Sequence, residues 1–208
     1  MRQCKYIILM LTLMIILCSC GKKNENTDVY TQIYEKYKDI QSYQCEMLMN
    51  ISSNKTVRQY RLKQFYKAPD YYKIELLEPE EVKGLVTVYV NGNVTTMHPE
   101  INGKFTLLNF NPVDESYIFL PDFFEAYYKS EKTSVAVSKE KESKSILLKA
   151  DLPSSSIYRF SQSMWIDSQS LLPEKMEIYD IKNKPVISVR FTEMELDIQL
   201  EDDIFQVD

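Results

Sequence analysis

From Tyr43 onward apolar and polar residues alternate with a period of two, which predicts strands with one buried face. Tyr43, Cys45, Met47, Met49 and Ile51 fall on one side, and Gln44, Glu46, Leu48, Asn50 and Ser52 on the other. A turn at Asn54-Lys55 leads to a second strand near 57–66, where Tyr60 and Leu62 alternate with Gln59, Arg61 and Lys63 until Ala68-Pro69-Asp70 breaks it. Tyr72, Ile74 and Leu76 set a third strand, ended by Glu78-Pro79-Glu80-Glu81. Strands over 85–90 and 94–98 flank Asn91-Gly92-Asn93, a connection tolerant of positive φ, and Asn102-Gly103 repeats the device before 104–109. Further strands are predicted over 133–138 and 145–151, joined by the charged run 139–144 as a solvated loop. Those over 157–167, 174–181 and 185–197 follow, separated by Leu172-Pro173 and a turn at Asn183-Lys184.

Two stretches change to helical spacing. Tyr30, Ile33, Tyr37 and Ile40 recur at three and four residues behind Thr27 or Asp28 as a cap. Tyr117, Leu120, Phe124 and Tyr127 or Tyr128 predict a second helix within 110–130, broken near Pro121. About eleven antiparallel strands with one apolar face, plus two or three helices, make an α+β, mainly β, fold. The expected form is a strongly curved sheet or open half barrel with the helices on its concave side.

The N-terminus follows a different plan. Arg2 and Lys5 precede an apolar run from Tyr6 to Leu17, and Ser19 supplies a small residue before Cys20, as in a secretory signal. Twelve residues make about 18 Å of helix, short of a ~30 Å hydrocarbon core, so a permanent span is not expected. Leu17-Cys18-Ser19-Cys20-Gly21 resembles the lipobox of bacterial lipoproteins. That resemblance implies cleavage between Ser19 and Cys20 and a lipid anchor on Cys20. The expected organisation is a signal peptide over 1–19, a lipidated tether over 20–26 and one domain over 27–208.

Losing Arg2 and Lys5 with the signal takes the formal net charge from -5 to -7. An acidic body argues against nucleic acid and against broad adhesion to anionic lipid, leaving the acyl chains as the membrane link. Of four cysteines only Cys45 stays free once Cys4 and Cys18 are removed and Cys20 is acylated, so no intrachain disulfide forms. Cys45 shares the apolar face of its strand and is expected to be buried, a bridge between two chains being the other reading. Fifteen tyrosines and nine phenylalanines against four glycines favour sheet over a helical bundle.

The chain is poor in reactive constellations. With His98 the single histidine and one free thiol, the usual zinc ligands are missing, so no metal or other cofactor is expected. A Ser/His/Asp centre would have to recruit His98, which reads as a surface residue beside Pro99. Glu78, Glu80 and Glu81, and later Glu201, Asp202 and Asp203, sit in turns where solvated charge is the default. Phe119, Phe123, Phe124, Tyr127 and Tyr128, with Tyr117, form an aromatic cluster with two readings: a lid over the concave face, or a partner surface.

Three stretches resemble the LolA/LolB-like lipoprotein-localisation fold. They are Phe65-Tyr66-Lys67-Ala68-Pro69-Asp70-Tyr71-Tyr72-Lys73-Ile74, then Val88-Tyr89-Val90-Asn91-Gly92-Asn93 with Met97-His98-Pro99, and Met164-Trp165-Ile166-Asp167 followed by Leu171-Leu172-Pro173 and Ile178-Tyr179-Asp180. Within that fold the lipobox, length, tyrosine-rich composition and acidic body resemble the GerS-type spore germination lipoproteins of clostridia. This likeness implies a noncatalytic lipoprotein of the space between forespore and mother-cell membranes. It also implies binding and activation of an N-acetylmuramoyl-L-alanine amidase of the CwlD type during modification of cortex peptidoglycan. A lipid anchor on the protein itself departs from a shuttling LolA carrier.

Three functions compete at this point. A regulator would dock its amidase through a sheet edge, loops or the aromatic patch; a carrier or sensor of acyl chains would use the concave hollow; an enzyme would need a catalytic constellation that the sequence lacks. Long hairpins and an exposed edge also allow strand exchange between two copies, a homodimer.

Overall fold

Among the described residues the alternating segments fold as eleven strands in one sheet. The computed structural model describes residues 25–206 apart from 54, 99, 102, 110–117, 141–142 and 154–155, so Ser19, Cys20 and Tyr117 lie outside the described residues. The strands are β1 (Ser42–Ser52), β2 (Val57–Lys67), β3 (Tyr71–Glu78), β4 (Val86–Val90), β5 (Asn93–His98), β6 (Gly103–Leu107), β7 (Thr133–Glu140), β8 (Ser143–Asp151), β9 (Ser161–Asp167), β10 (Pro173–Tyr179) and β11 (Pro185–Leu196). Their spatial order is β6-β5-β4-β3-β2-β1-β11-β10-β9-β8-β7, so two meanders meet where β1 pairs antiparallel with β11. The sheet does not close, and β6 and β7 are its edges. The expected open antiparallel sheet with helices on one side is the fold observed.

The helices are α1 (Glu25–Tyr37) and α2 (Leu120–Lys129). Ile33, Tyr37 and Ile40 are buried, as the apolar stripe required. α1 begins at Glu25, ahead of the Thr27 or Asp28 cap expected for it and inside the stretch read as tether. Pro121 sits in the first turn of α2, where a residue needs no N–H for the helical ladder and its fixed φ suits the helix, and 110–117, the earlier part of the stretch read as helical, lie outside the described residues.

Two further expectations are corrected. The charged run 139–144, expected as a loop, is strand at both its ends: β7 and β8 stay paired through Lys139↔Lys144 and Glu140↔Ser143, and 141–142 lie outside the described residues. Strand β9 starts at Ser161 rather than 157, since Ser156 Oγ accepts from the amides of Tyr158 and Arg159 at 3.3 and 3.1 Å and holds a turn there. The Asn91-Gly92 turn is as expected, with φ of 50° and 78°.

Both faces of the sheet are used. On the concave side Tyr43, Cys45, Met47, Leu62, Ile146, Leu148, Met164 and Met176 pack beneath the helices. On the convex side Phe65 and Val88 are covered by Leu200 and by Phe205 of the turn Asp202–Phe205, a segment that Lys67 fastens by bonds to Leu200 O at 2.8 Å and Asp202 Oδ1 at 2.5 Å.

Candidate partner interface

The aromatic cluster of α2 lies mostly inside. Phe119, Phe123, Phe124 and Tyr127 are buried, while Tyr128 sits at the outer rim of the helix. Phe124 stacks on Tyr37 of α1 with centroids 4.3 Å apart. Sheet side chains also hold the helix backbone. Leu120 N–H, one of the first-turn donors without an intrahelical acceptor, donates to Tyr43 Oη at 3.2 Å; Tyr43 Oη donates to Gln64 Oε1 at 2.7 Å, and Gln64 Nε2 to Ile118 O at 3.5 Å. Farther along, Gln162 Nε2 donates to Phe123 O at 3.3 Å. Sequence reasoning missed Gln64 and Gln162, although Gln64 shares the strand parity of Leu62 and Tyr66.

Asp122, in the first turn of α2, keeps Oδ2 buried with no hydrogen-bond partner among the described residues. Burial, then the charges of Glu125 and Asp70, push its carboxyl up to about 7. The helix dipole opposes this with about 0.3–1 kcal/mol, against about 4 kcal/mol for a shift of this size, so burial wins. The folded state therefore holds the proton more tightly than the unfolded chain. That stability is fully present below about pH 4 and is lost as pH rises towards about 7. Denaturant titrations should show the parent weakening across this window and Asp122→Asn weakening less, by roughly 2–4 kcal/mol at most. Parallel pH profiles for the two would contradict a charge buried at cost.

The lid stops short of one edge. Phe119 meets Tyr72 edge-on at 4.8 Å and Tyr72 meets Tyr89 at 5.5 Å, which carries the aromatic row as far as β4. The pairs Tyr89↔Val94 and Val94↔Leu107 continue the same face, and Phe105, two residues from Leu107, shares it. Phe105 is 63% exposed, Leu108 just beyond the strand 72%, and Ile101 and Leu107 are exposed beside them. Among the described residues β6 pairs with β5 alone, so these apolar side chains lie on an edge strand, whereas the opposite edge, β7, carries Ser134 and Ala136, with Tyr127 Oη donating to Ser134 O at 3.5 Å. An exposed apolar edge of this kind is a template for a partner's strand or an apolar anchor.

The remaining candidates do not converge on a site. His98 ends β5, and its Nδ1 accepts from Glu100 N at 3.2 Å. Glu78 pairs with Arg61 at 3.1 Å and Glu80 with Lys83 at 3.4 Å. Among the described residues no cluster of His, Cys, Asp and Glu could hold a metal ion. Cys45 is buried, and burial pushes its thiol far up.

A family model described as sporulation protein YdcC-like matches residues 2–205. The chain belongs to that family. Among solved structures it is similar to the GerS lipoprotein in complex with the CwlD amidase from Clostridioides difficile, at 26% identity over 84% of this chain and 98% of that one, with a TM-score of 0.52. It is also similar to the LolA superfamily protein NE2245 of Nitrosomonas europaea, at 14% identity over 85% and 97% with a TM-score of 0.46. An uncharacterised conserved protein of Thermus thermophilus matches at 10% over 86% and 91%, with a TM-score of 0.56. No match was found among curated proteins. The resemblance to GerS read from the sequence is borne out, and with it the expected fold.

Proposed function

We propose that this chain is a noncatalytic lipoprotein, anchored through Cys20 outside the cytoplasm between forespore and mother-cell membranes. There it binds and activates a CwlD-type N-acetylmuramoyl-L-alanine amidase for cortex peptidoglycan modification. The observation that carries the reading is the likeness to GerS, solved with its amidase, over 98% of that chain. The exposed β6 edge, with Phe105 and Leu107, supplies a docking surface. Edge-to-edge strand exchange between two copies is the other use this edge would serve.

The carrier reading fits less well, because the hollow it needs is occupied: Tyr43, Phe123, Phe124 and Leu120 pack the space between sheet and helices. The test is co-purification from sporulating cells followed by amidase assays with and without the chain. Capture of the amidase, with activity raised on adding the chain, is expected. Peptidoglycan turnover by the chain alone, or a co-purified lipid with no amidase, would overturn the proposal.

A further inference from the structure

A second exposed apolar patch lies away from the β6 edge. The pairings Thr133↔Ala150, Asp151↔Ser161, Tyr179↔Ser161 and Ser52↔Val57 bring the starts of β7, β9 and β11 and the tip of the β1–β2 hairpin to one end of the sheet. Three turns gather there, and Ile181 N–H donates to Ile157 O at 3.1 Å, tying two of them together. They line a groove of about 550 Å³ whose rim exposes Ile51, Ile157, Ile181 and Tyr158, the last 72% exposed.

Cations ring the same groove. Arg159, Lys182 and Lys184 line it, and among the described residues no ion pair neutralises them. The groove's acid, Asp180, has Oδ1 engaged by the amides of Lys182 and Lys184 at 2.9 and 2.8 Å. Exposed isoleucines and a tyrosine ringed by long basic side chains match a membrane interface, where aromatic rings sit at headgroup depth and Lys and Arg meet lipid phosphates.

The direction of α1 points to the same end. Tyr30 meets Tyr127, and Tyr37, later in α1, meets Phe124, earlier in α2; the two helices are antiparallel. Because α2 runs towards Thr133, α1 starts at that end, and Cys20 stands five residues before Glu25, within about 18 Å of extended chain.

We infer that the end of the sheet bearing Ile157, Tyr158 and Ile181 rests on the anionic bilayer to which Cys20 is tethered. The inference rests on the anchor reading of the proposed function. It deepens that reading by fixing orientation: the anchored protein lies with this end on the lipid and the β6 edge free for its partner.

The test uses the acylated chain in vesicles of equal parts phosphatidylglycerol and phosphatidylcholine, with nitrobenzoxadiazole on Tyr158→Cys or, separately, Phe105→Cys. Cys45, buried and held protonated, does not compete for the label. A blue shift with brightening at Tyr158→Cys, and none at Phe105→Cys, is expected, and Lys182→Glu with Lys184→Glu should reduce it. A chain that floats with the vesicles while the label at Tyr158→Cys stays in water overturns this face and leaves the anchor standing. A chain that does not float overturns both.

Discussion

Phe105→Asp should leave folding intact and weaken capture of the amidase by about 30-fold or more. The ring is 63% exposed on an edge strand, so its loss empties no core, and surface changes of this kind usually stay within about 0.5 kcal/mol of the parent. Binding is another matter. Interface energy concentrates in a few aromatic anchors, each worth about 2 kcal/mol or more, and a carboxylate facing a desolvated apolar pocket adds a burial cost. Leu107→Asp, on the same face of β6, should act alike, whereas Tyr158→Asp at the far end of the sheet should not change capture in solution. Titration of each purified variant against the amidase, beside thermal unfolding, reads the two effects apart. Unchanged affinity in the Phe105→Asp, Leu107→Asp double variant would remove the β6 edge from the interface.

What the sequence revealed depended on where each residue's neighbours come from. The face of β1 was legible because Tyr43, Cys45 and Met47 alternate with polar residues against one continuous core. Phe65 and Val88 were not, since they point to the opposite face and their cover, Leu200 and Phe205, arrives from more than a hundred residues away. Gln64 is buried among apolar neighbours because it completes a bond to Tyr43, and polarity alone reads such a residue as exposed. Charge over 139–144 suits a loop as well as it suits strand ends, and it is the backbone pairing Lys139↔Lys144 and Glu140↔Ser143 that makes its ends strand. An exposed sheet edge was expected, but not which strand would form it, since nothing local distinguishes Phe105 from the buried aromatics. Only the extent of the lid decides that.

That lid carries the second large expected effect. Phe123→Ala should cost about 3–5 kcal/mol, since the side chain is fully buried and its removal leaves a cavity between α2 and the sheet. Set against the roughly 5–15 kcal/mol that usually separates folded from unfolded domains, this is enough to lower the melting temperature by roughly 6–20 °C. The loss should be larger than for Tyr128→Ala, which gives up a ring at the outer rim, and Phe123→Leu should recover most of it by refilling volume. Chemical denaturation of the three variants measures the series. If Phe123→Ala instead unfolds within about 1 kcal/mol of the parent and no longer captures the proposed amidase partner, the aromatic row on α2 is a recognition surface that opens on binding. The concave side of the sheet, rather than its β6 edge, would then be where the partner enters.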